Sequence, residues 1–148
     1  MRSRVWQFLL MGTFLLACPG LALAGKRIAL VVGINDYQRS GALRNPVSDA
    51  KAIAALLEAN GVAVILKLNP SFVEFHDALA ELDTAASDAE EVIVYYAGHG
   101  FGVDRGDVLA PVDLEFDCER RTVKRSIKLD DVFERLGSVP RKIVLIDA

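Results

Sequence analysis

Continuous apolar segments recur along the chain, and stretches with hydrophobic residues at helical spacing separate most of them. The apolar segments are Arg27–Ile34, Val62–Leu68, Glu91–Ala97 and Lys142–Ala148. Uninterrupted runs rich in β-branched residues are typical of strands that are buried on both faces. The pattern therefore predicts an α/β protein, in which a mostly parallel sheet is joined by right-handed crossovers and lies between helix layers.

Two helices are predicted between the first three strands, from the spacing of their apolar residues and from the residues at their ends. For the first helix, Asn45 is the expected N-cap, Pro46 suits the first turn and Gly61 ends it. The second helix opens with another Asn-Pro pair, at Asn69. The residues expected to face the core are Ile53, Leu56, Leu57, Phe72, Phe75, Leu79 and Leu82.

The segment between the third and fourth strands is harder to interpret. It holds a short apolar stretch within Asp107–Asp113, a charged loop, and a helix near Leu129–Ser138. The fourth strand runs directly to Ala148 and is predicted to be a buried central strand. Because a domain seldom stops at such a strand, we expect the fold to be incomplete at its C-terminus.

The N-terminal residues have the three regions of a secretory signal peptide. Arginines precede an apolar run at Val5–Ala17, and small residues at Ala22–Ala24 fit a cleavage site. The run is shorter than the roughly 20 residues of a membrane-spanning helix. We therefore expect a signal peptide at residues 1–24, then one domain at 25–148 that is periplasmic or secreted. The alternative is a lipid anchor at Cys18, within a lipobox-like segment.

Removal of this leader changes the charge and the cysteine content. Without Arg2 and Arg4, 15 of the 17 basic residues remain against 20 acidic ones, a net charge of −5. That balance predicts no basic face for nucleic acid. Only Cys118 remains of the two cysteines, so no internal disulfide is possible and the fold depends on a packed core.

His99 carries the clearest candidate chemistry. It lies between Gly98 and Gly100, directly after the third predicted strand, where ligands and catalytic groups collect in parallel sheets. Histidine suits proton transfer near neutral pH, and flanking glycines leave room for a substrate backbone. The Gly100 amide is a candidate oxyanion donor. From chemistry alone, a structural histidine in a glycine turn remains the alternative. His76, on the second helix, is predicted to lie at the surface.

Five segments form a recognisable series along the chain: Lys26–Tyr37, Leu43–Gly61, Val92–Gly100, Leu109–Asp113 and Lys142–Ala148. In this order they resemble the large-subunit domain of the caspase-like cysteine peptidases, above all the bacterial metacaspases and orthocaspases. The "YYAGHG" element is fairly specific, and its combination with "LIDA" after the last strand is strong. The resemblance covers Lys26 to Ala148 and implies a three-layer α/β/α caspase-like fold. One departure is Ala97, where metacaspases often carry serine.

The resemblance implies a cysteine–histidine dyad. His99 would be its histidine, and the cysteine would follow the fourth strand, about 50 residues after the histidine. That position directly follows Ala148, so we expect this chain to stop just before its nucleophile and not to cleave peptides itself. In the family mechanism a thiolate attacks the scissile carbonyl, His99 protonates the leaving amine, and the Gly100 N–H stabilises the oxyanion. Cys118 follows no strand and is expected to be a bystander.

Two acidic residues are implied to set the substrate preference. By the resemblance, Asp147 and Asp49 belong to the S1 pocket, which receives the side chain before the cleaved bond. Two carboxylates there favour peptides or proteins with arginine or lysine at that position, and the bidentate guanidinium geometry favours arginine. The alternative role for Asp49 is that of an acid in the first helical turn, stabilised by the helix dipole.

Other charged residues have weaker interpretations. Some relatives bind calcium through acids in later loops, so Asp130 and Asp131 are candidate ligands, although the same pair is an ordinary helix start. Otherwise we expect neither a metal nor a cofactor. A basic cluster in the charged loop is either a solvated surface or a site of self-processing. The cluster comprises Arg120, Arg121, Lys124, Arg125 and Lys128.

The leading hypothesis is thus an exported caspase-like cysteine endopeptidase domain with a basic substrate preference. The first alternative is a catalytically inactive caspase-fold module that serves interaction or regulation. A third hypothesis, a flavodoxin-like module with a ligand at the same sheet edge, leaves the glycine-flanked His99 unexplained.

Overall fold

A computed structural model of the chain describes residues 25–103, 106–117 and 122–148. The predicted signal peptide, Cys18 and Cys118 lie outside these ranges. In chain order the elements are β1 (Arg27–Gly33), α1 (Pro46–Ala59), β2 (Ala63–Leu68), α2 (Phe72–Ala85), β3 (Glu91–Ala97), β4 (Gly100–Val103), β5 (Gly106–Leu109), β6 (Glu115–Asp117), β7 (Thr122–Lys124), β8 (Ile127–Lys128), α3 (Leu129–Arg135) and β9 (Arg141–Asp147).

The four predicted strands form one parallel sheet in the order β2-β1-β3-β9, which confirms the expected α/β architecture. At the carboxyl edge, Ala97 of β3 lies opposite Gly33 of β1 on one side and Asp147 of β9 on the other. The segments that follow β1, β3 and β9 therefore emerge side by side. This register brings the polar motifs of the sequence to one edge.

Helices cover both faces of the central strands. Successive residues of β1 alternate between two cores, with Leu30 in one and Val31 in the other. The core that contains Leu30 includes the buried residues of α2 and α3, and the core that contains Val31 includes Ala50 and Ala54 of α1. The result is the expected three-layer arrangement of helix, sheet and helix.

The first helix differs from its prediction in two details. Asn45 makes no capping hydrogen bond with its side chain, and the Val47 N–H instead donates to Asn35 Oδ1 at 2.9 Å. Leu56 is 60% exposed, whereas Ala50 and Ala54 are buried. Position 50 holds a small residue because α1 packs closely on β1: a Cβ built on Gly33 would lie 2.6 Å from the Ala50 Cβ. Only small side chains fit where α1 crosses β1.

The second helix begins later than its Asn-Pro pair suggested. Ser71 is the N-cap and forms a capping box with Glu74, while Asn69 adopts a left-handed conformation with φ of 50°. The predicted apolar stripe is confirmed, since Phe75, Leu79 and Leu82 are buried and Phe72 is partly buried. His76 is half-buried, and its ring meets the Phe72 ring edge-on at 4.6 Å.

The prediction of a charged loop between β3 and β9 is wrong in part, because short strands form within this segment. β4, β5 and β8 form a small antiparallel sheet, and β6 pairs with β7 as a hairpin. The predicted third helix is present as α3. None of the helices in the described parts of the chain combines the length and apolar character needed to span a bilayer.

The expected burial of β9 as a central strand is not seen within the described residues. Within the described residues, β9 is the last strand of the sheet and pairs only with β3. Ile143, Leu145 and Ile146 are 41%, 49% and 39% exposed. An apolar run alone does not reveal whether both of its faces are covered.

Candidate active site

The carboxyl ends of β3 and β9, the segment before α1 and its first turn line one open cavity of about 300 Å³. The lining residues are Leu43, Arg44, Asn45, Pro46, Asp49, Gly98, His99, Asp147 and Ala148. The backbone N–H of Gly98 donates to the Asp147 carbonyl at 3.0 Å, which extends the β3–β9 ladder to the cavity. The structure thus brings together three side chains that the sequence singled out, those of His99, Asp49 and Asp147.

Two tyrosine hydroxyls hold the backbone of His99. The His99 N–H donates to the Tyr37 hydroxyl at 2.6 Å, and the Tyr96 hydroxyl donates to the His99 carbonyl at 2.7 Å. The Tyr37 ring also packs against the imidazole, with centroids 4.5 Å apart. A side chain on Gly98 would lie 2.5 Å from one hydroxyl and 2.7 Å from the other. Glycine is therefore required before His99 so that these hydroxyls can approach.

Gly100 begins β4 and lies opposite Leu109 of β5. The neighbouring bond, from the Ala110 N–H to the His99 carbonyl at 3.0 Å, places Gly100 at a non-hydrogen-bonded position of the ladder. Its own N–H therefore points away from β5. A Cβ built on Gly100 would lie only 3.0 Å from the Ala148 Cβ, so the end of β9 packs directly against this glycine.

A network of asparagine side chains shapes the loop after β1. The backbone N–H of Asn35 donates to Asn69 Oδ1 at 2.7 Å, and Asn69 Nδ2 donates to Asp36 Oδ2 at 2.7 Å. The backbone carbonyl of Asn35 accepts from the Leu43 N–H at 3.0 Å. These bonds fix both ends of the loop that carries Tyr37. The sequence alone predicted no role for the side chains of this loop.

The two acids of the cavity both affect the pKa of one neighbouring tyrosine, Tyr95. Burial raises the pKa of Tyr95, and the negative charges of Asp147 and Asp49 raise it further. Asp49 lies in the first turn of α1, where a carboxylate interacts favourably with the helix dipole, and this placement is compatible with both roles considered for it. Arg44, which sequence reasoning missed, adds one positive charge to the same lining.

Other candidate residues lie away from this cavity. Asp130 and Asp131 occupy the first turn of α3 and are not among the lining residues. In the parts of the chain that the structure describes, no group of three or more His, Cys, Asp or Glu side chains is arranged to hold a metal ion.

The basic cluster is only partly described, since Arg120 and Arg121 lie outside the described residues. Lys124 and Lys128 end strands β7 and β8 rather than lying in a loop. Arg125 is exposed and pairs with Asp113 at 3.1 Å. The self-processing role suggested for this cluster stays a prediction.

The fold and the edge geometry define a class of protein, the α/β domains of caspase-like fold. Comparison with known families agrees, because the caspase domain of peptidase family C14 matches residues 26–148. The chain belongs to this family, which at the family level is one of cysteine peptidases. The resemblance to a caspase-like domain is thereby confirmed.

A human relative is also similar to the chain. "Mucosa-associated lymphoid tissue lymphoma translocation protein 1" of Homo sapiens is 28% identical over 91 residues. The match covers 62% of this chain and 11% of the human protein. The chain therefore spans a small part of that relative's length.

Proposed function

We propose that the chain is a cysteine-type endopeptidase domain that cleaves proteins or peptides after arginine or lysine. The observation that supports this most strongly is the shared cavity of His99, Asp49 and Asp147, at the edge where β9 ends. Membership of the caspase-domain family implies protein substrates. The basic preference rests on the two carboxylates.

The proposed nucleophile is a cysteine that directly follows Ala148. Ala148 lines the cavity together with His99, so the next residue along β9 would start beside the imidazole. The thiolate attacks the scissile carbonyl carbon, and the imidazolium of His99 gives its proton to the leaving amine. Water then attacks the thioester while His99 accepts its proton, which releases the acid product and the thiolate. The Gly100 N–H would stabilise the oxyanion in both steps.

The charge of the proposed S1 pocket favours a cation. Asp49 and Asp147 carry two negative charges against the single positive charge of Arg44, so the lining is negative overall. A guanidinium group forms two parallel hydrogen bonds with a carboxylate, which a lysine ammonium cannot do. Arginine is therefore the preferred residue before the cleaved bond, and aspartate is disfavoured by repulsion.

Export of the domain is part of the proposal. The charged start, the apolar run and the small residues at Ala22–Ala24 support a cleaved signal peptide over a lipid anchor at Cys18, because Pro19 directly follows that cysteine. The proposed location is the periplasm or the exterior of the cell.

A second candidate function is a catalytically inactive interaction module. The exposed side chains of Ile143 and Leu145, which lie on the same face of β9, favour it, because adjoining exposed apolar residues often mark contact surfaces. The residue that follows Ala148 discriminates the two functions. Cysteine there supports the peptidase, whereas serine, glycine or tyrosine supports the inactive module.

The test of the peptidase uses a form of the protein that carries cysteine directly after Ala148. We expect it to cleave a fluorogenic arginine peptide and to leave the matching aspartate peptide intact. Asp147→Asn or Asp49→Asn should lower kcat/KM for the arginine peptide about 10- to 100-fold, because a hydrogen bond to a charged group is worth about 1.5–3 kcal/mol.

Asp88→Asn is the matched control, because Asp88 pairs with Lys26 just before β3, at the opposite edge of the sheet. It should leave kcat/KM within about twofold, as expected of a surface substitution. A preference for aspartate, or equal losses in all three variants, would contradict the pocket. The chain that ends at Ala148 should cleave neither peptide.

A further inference from the structure

We propose that Tyr37 and Tyr96 are positioning residues, which hold His99 in place through a closed ring of hydrogen bonds. A role for this ring in catalysis depends on the proposed peptidase function. Its existence rests on three bonds that join the two hydroxyls to each other and to both polar backbone groups of His99.

The direction of each bond follows from the number of protons available. The His99 N–H can only donate, so the Tyr37 oxygen accepts at 2.6 Å. The Tyr37 hydroxyl proton then points to the Tyr96 oxygen at 3.3 Å. The Tyr96 proton points to the His99 carbonyl at 2.7 Å, the shorter of its two carbonyl contacts. The ring runs from His99 through both hydroxyls and back to His99.

Both tyrosine rings are anchored by other contacts. The Tyr96 side chain is fully buried, and its ring stacks on Phe75 of α2 with centroids 6.1 Å apart and an angle of 14°. Its hydroxyl also accepts from the Ala110 N–H at 3.2 Å. Tyr37 is 8% exposed and packs against the imidazole itself. The hydroxyls therefore have little freedom to move. Their hydrogen bonds connect the loop at Gly98–Gly100 to the packed core beneath α2.

The ring restricts His99 without adding charge beside it. With the N–H and the carbonyl of His99 both bonded, the peptide planes on either side of its Cα are held. The imidazole then moves only by rotation about its own side-chain bonds, so it stays near the end of β9. Pre-positioning of this kind lowers the barrier of a step that needs two groups in register.

The test measures hydrogen exchange of the His99 amide by NMR in the chain itself and needs no nucleophile. Tyr37→Phe removes the acceptor of that amide, and we expect His99 exchange to become about tenfold faster, the effect of one buried hydrogen bond. Tyr95→Phe is the matched hydroxyl deletion on the opposite face of β3 and should leave the rate of the His99 amide unchanged.

Val132→Ala is the control for a general loss of stability, because it removes buried side-chain atoms from α3. This variant should speed the exchange of globally protected amides together, whereas Tyr37→Phe should act selectively on His99. Exchange of the His99 amide within twofold of the parent in Tyr37→Phe would overturn the ring. So would equal acceleration of all protected amides.

A measurement on the unmodified chain guards against variants that do not fold. The Tyr37 and Tyr96 hydroxyl protons should exchange slowly with water and show cross-relaxation with the His99 amide proton. Hydroxyl protons that exchange as fast as those of free tyrosine would refute the ring without any substitution.

The catalytic consequence is tested separately, in a form that carries cysteine after Ala148. Tyr37→Phe should lower kcat for the arginine peptide about tenfold and leave KM within about twofold, because the ring acts on His99 rather than on the acid pocket. Slow hydrogen exchange of the His99 amide without peptidase activity would refute the proposed function but not the hydrogen-bonded ring. Full activity in Tyr37→Phe would show that the ring does not serve catalysis.

Discussion

The strands β3 and β9 are equal in length and paired residue for residue, yet their surroundings differ. Their register runs from Glu91 opposite Arg141 to Ala97 opposite Asp147. β3 is buried over six of its seven residues, whereas β9 is exposed over six of seven. Both strands end at the candidate active site, one before the histidine and the other at an acid.

The difference shows that the two sides of the site are held by different forces. His99 is fixed by a strand packed on both faces and by two buried hydroxyls. Asp147 is fixed mainly by the backbone ladder between β9 and β3, extended by the bond from the Gly98 N–H. The position of the imidazole thus depends on the core, and the position of the acid depends on strand pairing.

The largest expected effect compares two isoleucines that face each other across this ladder. Ile93 of β3 is 8% exposed, and its partner Ile143 of β9 is 41% exposed. Ile93→Ala should lower the free energy of unfolding by about 2–5 kcal/mol, because it leaves a cavity in the core. Ile143→Ala should cost less than about 1 kcal/mol. Urea unfolding measures both, and equal losses would contradict the assigned difference in burial.

The next effect concerns pH and the tyrosines on the buried side. Burial raises the pKa of Tyr37 and also that of Tyr96, whose pKa the neighbouring Tyr37 raises further. The unfolded chain therefore loses these protons first, at about pH 10, so stability is full below that pH and falls as the pH rises above it. Each group removes up to about 1.4 kcal/mol per pH unit.

Urea unfolding between pH 8 and pH 11 measures this loss. Tyr96→Phe should flatten the alkaline decline, although its stability at pH 8 should be lower than that of the parent. Lysines also titrate in this range, so the difference between variant and parent is the informative quantity. An identical decline in both proteins would show that Tyr96 is not buried as described.

The smallest effect links the two strands through charge. The charge of Asp147 on β9 contributes to the raised pKa of Tyr95 on β3. Asp147→Asn should therefore lower the pKa of Tyr95, and Asp49→Asn should act in the same direction. NMR titration of the tyrosine ring carbons measures the change. No change in either variant, as expected for the control Asp88→Asn, would mean that the acids do not lie beside this phenol.

Much of the fold was predictable because the strands of the parallel sheet are apolar runs and the stretches between the first three have hydrophobic residues at helical spacing. Parallel pairing brings the carboxyl ends of the strands to one edge, as expected, and the pairing of β3 with β9 then places His99 and Asp147 in one cavity. Gly61 ends the first helix as expected, with φ of 73°. The family resemblance then supplied candidate roles for the residues at that edge.

The remaining features depend on contacts that a linear pattern does not contain. The hydroxyls of Tyr37 and Tyr96 meet although 59 residues separate them. Asn35 caps α1 from 12 residues before Val47, in place of the adjacent Asn45. The strands of the small antiparallel sheet and of the hairpin span two to four residues each, too short for periodicity to predict. The exposure of β9 is set by its place in the sheet, which its apolar composition does not report.

The most direct test of the central claim measures peptide cleavage by a form of the protein with cysteine after Ala148, using the two histidines of the chain as a matched pair. His99→Ala should lower kcat for an arginine peptide by about 100- to 10,000-fold, the usual contribution of a general acid–base group. His76→Ala, on α2, should leave kcat within about twofold. Undiminished cleavage by His99→Ala would contradict the account.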